Sequence, residues 1–361
     1  MSTDLLRHRN SSAPRNLTLY TRWMDDISDF IRRLPKAELH LHLEGTITPA
    51  TLVELSARHD AQPITLPEAE ALYQFTDFTG FIEAFKAVTR RLIGPEDYEL
   101  AAWAMMQRLA EQGVVHAEVY ISVGVIYMWR NHDPLAFEPI FAGLERARAR
   151  AERELGLSLY WIFDAVRHFS VEEAVRVFRK AAEMRRQFPS IIGIGLGGDE
   201  RVRGSEPFAD LYAEAREAGL RLTNHAGETT GPEAIREALI IGSERIGHAL
   251  SAIQDPALVE ELKMRSTALE LNPTSNVRTG VCASFSEHPL RRYFDAGLLV
   301  TLNSDDPAFF GSDVANEYLL AHTEQGFTCE ELRQLAANSI RASFLPELDK
   351  ATFLAQIESI E

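Results

Sequence analysis

The chain has 361 residues, with 37 basic against 53 acidic side chains and a formal net charge of −16. Polynucleotide binding needs phosphate-neutralising Lys and Arg, so this balance argues against nucleic acid as a partner. Only two cysteines are present, Cys282 and Cys329, which excludes a disulfide scaffold and a cysteine-rich zinc module and suits a reducing cytoplasm.

The segment MSTDLLRHRNSSAPRN lacks the apolar core of a secretion signal, and no apolar run reaches the roughly 18 residues that a membrane span needs. A cytoplasmic protein without membrane partners is therefore expected. Residues 1–33 read as an N-terminal tail with a lead-in helix, and 34–361 as one domain. Along that domain, short β-branched or apolar runs alternate with helical spacing. They are Glu38–Leu43, Val114–Ser122, Leu157–Val166, Ile191–Leu196, Leu220–His225, Arg245–Ala249, Thr267–Leu271 and Leu299–Asn303. Most read as apolar on both faces, as in VVHAEVYI, which suits a parallel sheet covered by helices.

After the first run, Thr48-Pro49 signals a helix start, with Thr48 as N-cap and Pro49 at the first helical position. The gap before the second run is about twice the others and holds a helical insert over about 59–110. Its aromatic residues Phe75, Phe78, Phe81 and Phe85 serve either to pack the insert or to cover a flat apolar substrate. Later helical stretches include VEEAVRVFRKAAEMRR and PFADLYAEAREAG, the latter stopped by Gly219. The β-then-α alternation predicts an α/β fold, a (β/α)8 TIM barrel with a helical insertion between the first and second strands. A doubly wound open sheet fits the even later spacing less well.

In such a barrel, chemistry sits at the C-terminal ends of the strands. The unusual polar residues fall there repeatedly: His40 and His42 in ELHLHLEG, His225 and Glu228 in LTNHAGE, His248 in RIGHA, and Asp305 and Asp306 in TLNSDDP. Alternate residues on a strand share a face, so His40 and His42 would both enter the barrel mouth. With His225 and Asp305 they make a donor set suited to zinc, which would bring a bound water toward ionisation at neutral pH. Each residue alone could equally be a satisfied core group; the convergence on one rim favours a metal. Glu228 reads as a carboxylic acid of raised pKa able to give a proton, or as a charge at a helix start. His248 reads as the group that orients or deprotonates the water, or as a buried structural imidazole. The fourth strand end, GIGLGGDE, carries no lysine to bridge a metal pair, so one ion is expected.

In order, HLHLEG, GGDE, HAGE, GHA and LNSDDP resemble the adenosine deaminase group of the amidohydrolase superfamily, from about Leu34 to Phe344. The resemblance implies one Zn²⁺ per chain, held by His40, His42, His225 and Asp305, and hydrolytic deamination of a small-molecule 6-aminopurine. It further implies that Glu228 protonates purine N1 and that His248 orients the attacking hydroxide, which Asp305 also holds. Asp306 would meet N7, and the Gly198 N–H would meet N3. Glu44 stands where adenosine deaminases usually carry the Asp that binds the ribose 5′-hydroxyl. Adenine deaminases of the family carry Glu there but generally lack the Gly198-Asp199-Glu200 segment. Deaminases of 6-amino-6-deoxyfutalosine, whose 5′ position bears an aryl ketone, would not need that Asp. The aryl carboxylate would want a cation such as Arg90, Arg91 or Arg130. The expected substrate is thus a 6-aminopurine nucleoside, with adenine the alternative. A cytidine-type zinc deaminase is excluded because its P-C-x-x-C signature is missing. The sequence leaves the oligomeric state open.

Overall fold

The computed structural model describes residues 26–75, 78–129 and 137–360; residues 1–25, the Phe78 side chain and Arg130 lie outside the described residues. Eight strands form in the order β1 (Lys36–His42), β2 (Val114–Ile121), β3 (Ser158–Val166), β4 (Ile191–Gly197), β5 (Arg221–Ala226), β6 (Arg245–His248), β7 (Ala268–Leu271) and β8 (Val300–Leu302). Each pairs in parallel with the next. Beyond β8 the chain returns to β1 through a parallel bridge between Leu41 and Asp305. There the His42 N–H donates to the Asp305 carbonyl at 2.9 Å, and the Asp305 N–H to the His40 carbonyl at 3.1 Å. The expected (β/α)8 barrel is the fold, and candidate metal ligands themselves make its closing hydrogen bonds.

Helices cover the barrel because their sequences provide both an apolar face and a start signal. Thr48 caps the helix Pro49–His59 by accepting from the Thr51 N–H, and Pro49 occupies its first turn. Ser170 caps Val171–Arg185 in the same way through the Glu173 N–H. Between β1 and β2 lie the helices Pro49–His59, Leu66–Leu72, Phe78–Thr89 and Pro95–Glu111. Phe81 of this insert stacks on Phe310 at 5.4 Å and meets Phe309 edge-on at 5.6 Å, while Phe85 lies 5.8 Å from Phe309. These rings pack the insert against the turn that follows Asp306. No described helix is long and apolar enough to cross a membrane.

The barrel interior corrects one expectation. β2 is not apolar on both faces: Ala117 and Val119 join the buried apolar core, but His116, Glu118 and Tyr120 are buried in a polar network. His116 Nε2 lies 3.2 Å from Glu118, whose other oxygen accepts from Arg245. Arg245 also donates to Glu270, and the Tyr120 hydroxyl donates to Glu270 at 3.1 Å. A guanidinium can be buried here because the Glu118 and Glu270 carboxylates compensate its charge.

Another buried acid gives a pH-dependent stability. Glu317 is fully buried, accepts from Ser312 Oγ and the Thr274 N–H, and burial pushes its carboxyl up to about 7 from the ordinary 4.5. A raised folded-state pKa means that its stabilisation is complete below pH 4.5 and is lost as pH rises toward 7. Glu317→Gln keeps the shape without the ionisation. Its advantage in stability over the native chain is expected to grow between pH 5 and 7.5 and then level, reaching about 3 kcal/mol. Thermal unfolding at several pH values checks this, and a pH-independent difference would contradict it.

Candidate active site

The imidazoles of His40 and His42 enter the C-terminal mouth of the barrel from β1. His42 Nε2 lies 3.2 Å from His225 Nε2 at the end of β5. Asp305, just past β8, brings Oδ1 to 3.5 Å from His40 Nε2 and 3.3 Å from His42 Nε2. Gly247 on β6 makes the crowding possible, since a Cβ there would fall 2.7 Å from His40 Cε1. His248 and Asp305 both hold left-handed backbone conformations, with φ of 64° and 63°. For residues with a side chain this costs roughly 1–2 kcal/mol each, and such strain concentrates at functional sites.

The protonation states suit a metal. Burial and the imidazoles of His40, His42 and His248 push His225 well below the usual histidine range. Burial also lowers His42 to about 4, against the pull of Asp305. Both rings are neutral at pH 7, the form that offers a lone pair. Burial would raise Asp305, but the charge of His40 beside it holds it ionised, well below the carboxylate range. His40 Nδ1 lies 2.8 Å from Glu270, while its Nε2 is buried without a hydrogen-bond partner among the described residues. Burial disfavours charge on His40, yet Asp305 and Glu270 outweigh it and lift its pKa to about 10. These surroundings therefore call for one positive charge at Nε2, which a metal ion would supply as well as a proton. Three imidazoles and one carboxylate fit zinc by number and chemistry. The possible ligand groups overlap: His40, His42 and Asp305 form one, and His40, His225 and His248 another, each with its ligand atoms within 4.8 Å.

Glu228 and His248 stand beside this cluster. His248 Nε2 is 3.8 Å from Glu228 Oε2 and 4.0 Å from Asp305 Oδ2. Burial raises the Glu228 carboxyl; His248 opposes the rise, while Asp305 and Glu200 add to it. The turn carrying Glu228 is fixed by Glu200, whose carboxylate accepts from the N–H groups of Gly227, Glu228 and Thr229 at 2.7, 2.9 and 3.1 Å. Thr230 Oγ1 completes this cradle at 2.6 Å. A candidate metal-ligand set, an acid of raised pKa and a third polar group thus share one mouth.

A family model described as adenosine deaminase matches residues 35–360. The chain belongs to the adenosine deaminase family. It is accordingly an enzyme of the deaminase type, a hydrolase acting on a purine C6 amino group. It is 40% identical to an aminodeoxyfutalosine deaminase of Streptomyces avermitilis, covering 92% of this chain and 93% of that one. It is 36% identical to an adenine deaminase of Chlorobium luteolum, covering 92% and 97% respectively. Among solved structures it resembles an amidohydrolase from Burkhoderia ambifaria with bound zinc, at TM-score 0.83 and 26% identity over 92% of this chain and 91% of that one.

Other residues expected from the adenosine deaminase resemblance lie around the same mouth. Glu44 is buried in the turn Glu44–Thr46 after β1 and accepts from the Ser122 N–H at 3.1 Å. Its other oxygen has no hydrogen-bond partner among the described residues, and burial pushes its carboxyl up to about 7. Asp306 is raised well above its usual range by burial and then by Asp305 and Glu44. Gly45 lets the two loops touch, because a Cβ there would overlap the Asp306 side chain. Gly198 follows β4 with φ of 89°. Arg91 is not an available cation: it is buried, and its Nε donates to Asp60 at 2.7 Å. Arg90 is exposed.

Sequence reasoning missed the groups that hold these residues in place. Glu270 orients His40, Ser275 Oγ donates to Asp305 Oδ2 at 2.6 Å, and Asn272 and Asn276 reach His248. Asp164 at the end of β3 was also missed; it is buried, with its pKa pushed up to about 8 by burial. Its available signal was a lone acid inside the apolar run SLYWIFDAV.

Proposed function

We propose that this enzyme is a zinc-dependent deaminase of a 6-aminopurine nucleoside, with aminodeoxyfutalosine as substrate, holding one zinc ion per chain through His40, His42, His225 and Asp305. The observation that carries the chemistry is the convergence of these four groups beside an acid of raised pKa, Glu228. A zinc ion bound there would acidify a water and stabilise negative charge at the reacting oxygen.

In this reading Glu228 gives its proton to purine N1, which makes C6 electrophilic. Asp305 and His248 flank the attacking water, and Asp305 takes one of its protons as the C6–O bond forms. That proton passes to the amino group, the C6–N bond breaks and ammonia leaves. The remaining water proton returns Glu228 to its acid form, and C6 becomes a carbonyl with a proton kept on N1. Asp306, whose carboxyl burial and the neighbouring Asp305 raise, donates to N7 in its acid form, and the Gly198 N–H donates to N3.

For the nucleoside, the support is the 40% identity to the Streptomyces enzyme together with retention of Gly198-Asp199-Glu200. A second reading, adenine deaminase, is favoured by Glu44 itself and by the 36% identity to the Chlorobium enzyme. Steady-state kinetics with aminodeoxyfutalosine, adenosine and adenine side by side separates the two. The proposal expects kcat/KM for aminodeoxyfutalosine to exceed that for adenine about 100-fold, or about 2.7 kcal/mol in transition-state binding. The reverse preference would mean that Glu44 excludes the sugar and that the second reading is right.

A further inference from the structure

The order of hydrogen-bond donors behind His248 can be followed from the backbone outward. We infer that Asn276 and His288 are positioning residues that hold His248 in its Nε2–H tautomer, so that His248 meets the reacting oxygen as a hydrogen-bond donor rather than as the base. The inference rests on the proposed deaminase reading and assigns the form in which one of its groups acts.

The chain of contacts starts at an unambiguous donor. The Leu290 backbone N–H donates to His288 Nδ1 at 3.2 Å, so that nitrogen carries no proton. His288 is buried, and burial lowers its pKa to about 3, which keeps the ring neutral. Its single proton is therefore on Nε2, 3.2 Å from Asn276 Oδ1. That contact fixes which end of the Asn276 amide is the oxygen, a choice otherwise open to a flip. The amide nitrogen of Asn276 must then face His248 Nδ1, at 2.9 Å. The Asn272 amide nitrogen lies 3.3 Å from the same atom. With the Asn276 amide donor directed at it, Nδ1 presents its lone pair, and the ring N–H of His248 is on Nε2.

That proton faces the site, since Nε2 is the atom 3.8 Å from Glu228 and 4.0 Å from Asp305. A neutral imidazole of this tautomer has no lone pair on the reacting side. It can orient the attacking oxygen by donating to it and can stabilise the negative charge that develops there. Asp305, held ionised and oriented by Ser275, is left as the acceptor for the water proton. The residues behind His248 thus decide which of two neighbouring groups takes the proton.

The test reads the tautomer directly. In zinc-loaded enzyme labelled with 15N-histidine, the His248 signals, assigned by their loss in His248→Gln, are expected to show a protonated Nε2 and an unprotonated Nδ1. Asn276→Asp is isosteric but offers only acceptors to His248. It is expected to move the proton to Nδ1 and to lower kcat by about 10–100-fold, with KM and zinc content little changed. His288→Leu removes the donor to Asn276 and is expected to lower kcat likewise. His288→Gln supplies an amide N–H in its place and should restore most of the loss. A native His248 protonated on Nδ1, or an Asn276→Asp enzyme with switched tautomer and native kcat, would overturn the inference. If Asn276→Asp does not fold, the native tautomer and the His288 pair decide the matter. Absence of activity on every 6-aminopurine, with Nε2 protonated, would remove the functional reading and leave the tautomer assignment standing.

Discussion

Glu228→Gln is expected to lower kcat by about 10²–10⁴-fold, or about 2.7–5.5 kcal/mol in barrier, while zinc content and folding stay native. Gln retains an N–H that can hydrogen-bond to purine N1, so substrate binding survives. It has no proton to give, so N1 stays basic and C6 remains a poor electrophile. Burial raises the Glu228 carboxyl above its ordinary range, and the proposed role requires its protonated form. The native enzyme should therefore lose kcat/KM on the alkaline side as Glu228 ionises, and the variant's residual rate should lack that limb. A variant within tenfold of the native rate would remove Glu228 from the role of N1 donor.

His225→Ala is expected to abolish stoichiometric zinc binding and to reduce turnover by at least about 10³-fold, because one of four ligands disappears and the rest no longer close around the ion. Two readouts check this separately. Elemental analysis should find about one zinc in the native chain and well below one in the variant. The native melting temperature should fall on chelation, since a ligand bound only to the folded state stabilises it, whereas that of the variant should not. Full zinc occupancy in His225→Ala would mean that the ion is held by another set. The geometry names one to examine, His40, His42 and Asp305.

The parts of this site legible in the sequence are those whose spacing is itself geometry. His40 and His42 share a strand face two residues apart, and His225, His248 and Asp305 lie at or just past the end of a β-run, so barrel topology alone brings them together. The left-handed backbones of His248 and Asp305 had no such signal, because neither is followed by the glycine pattern of an ordinary turn. Glu200 was visible only as a letter in GGDE. Its role requires knowing that the loop after β4 folds under the loop after β5. The network of Glu118, Arg245 and Glu270 joins residues as many as 152 positions apart in the chain, and nothing in the letters around each points to the others. Arg91 erred in the opposite direction: a cation in the insert looked free for substrate, but its partner Asp60 lies 31 residues earlier. Asn276 and His288 carried no sequence signal, and only the direction of the Leu290 N–H reveals what they do.

The central claim is that water replaces the C6 amino group of a purine in this site. The most direct measurement incubates the zinc-loaded enzyme with aminodeoxyfutalosine in 18O-labelled water and follows product mass and ammonia together. The account predicts one ammonia for each 6-oxopurine formed, with the label in the C6 carbonyl and no reaction by Glu228→Gln on the same timescale. Substrate recovered with its amino group intact, or a product formed without ammonia or label, would contradict it.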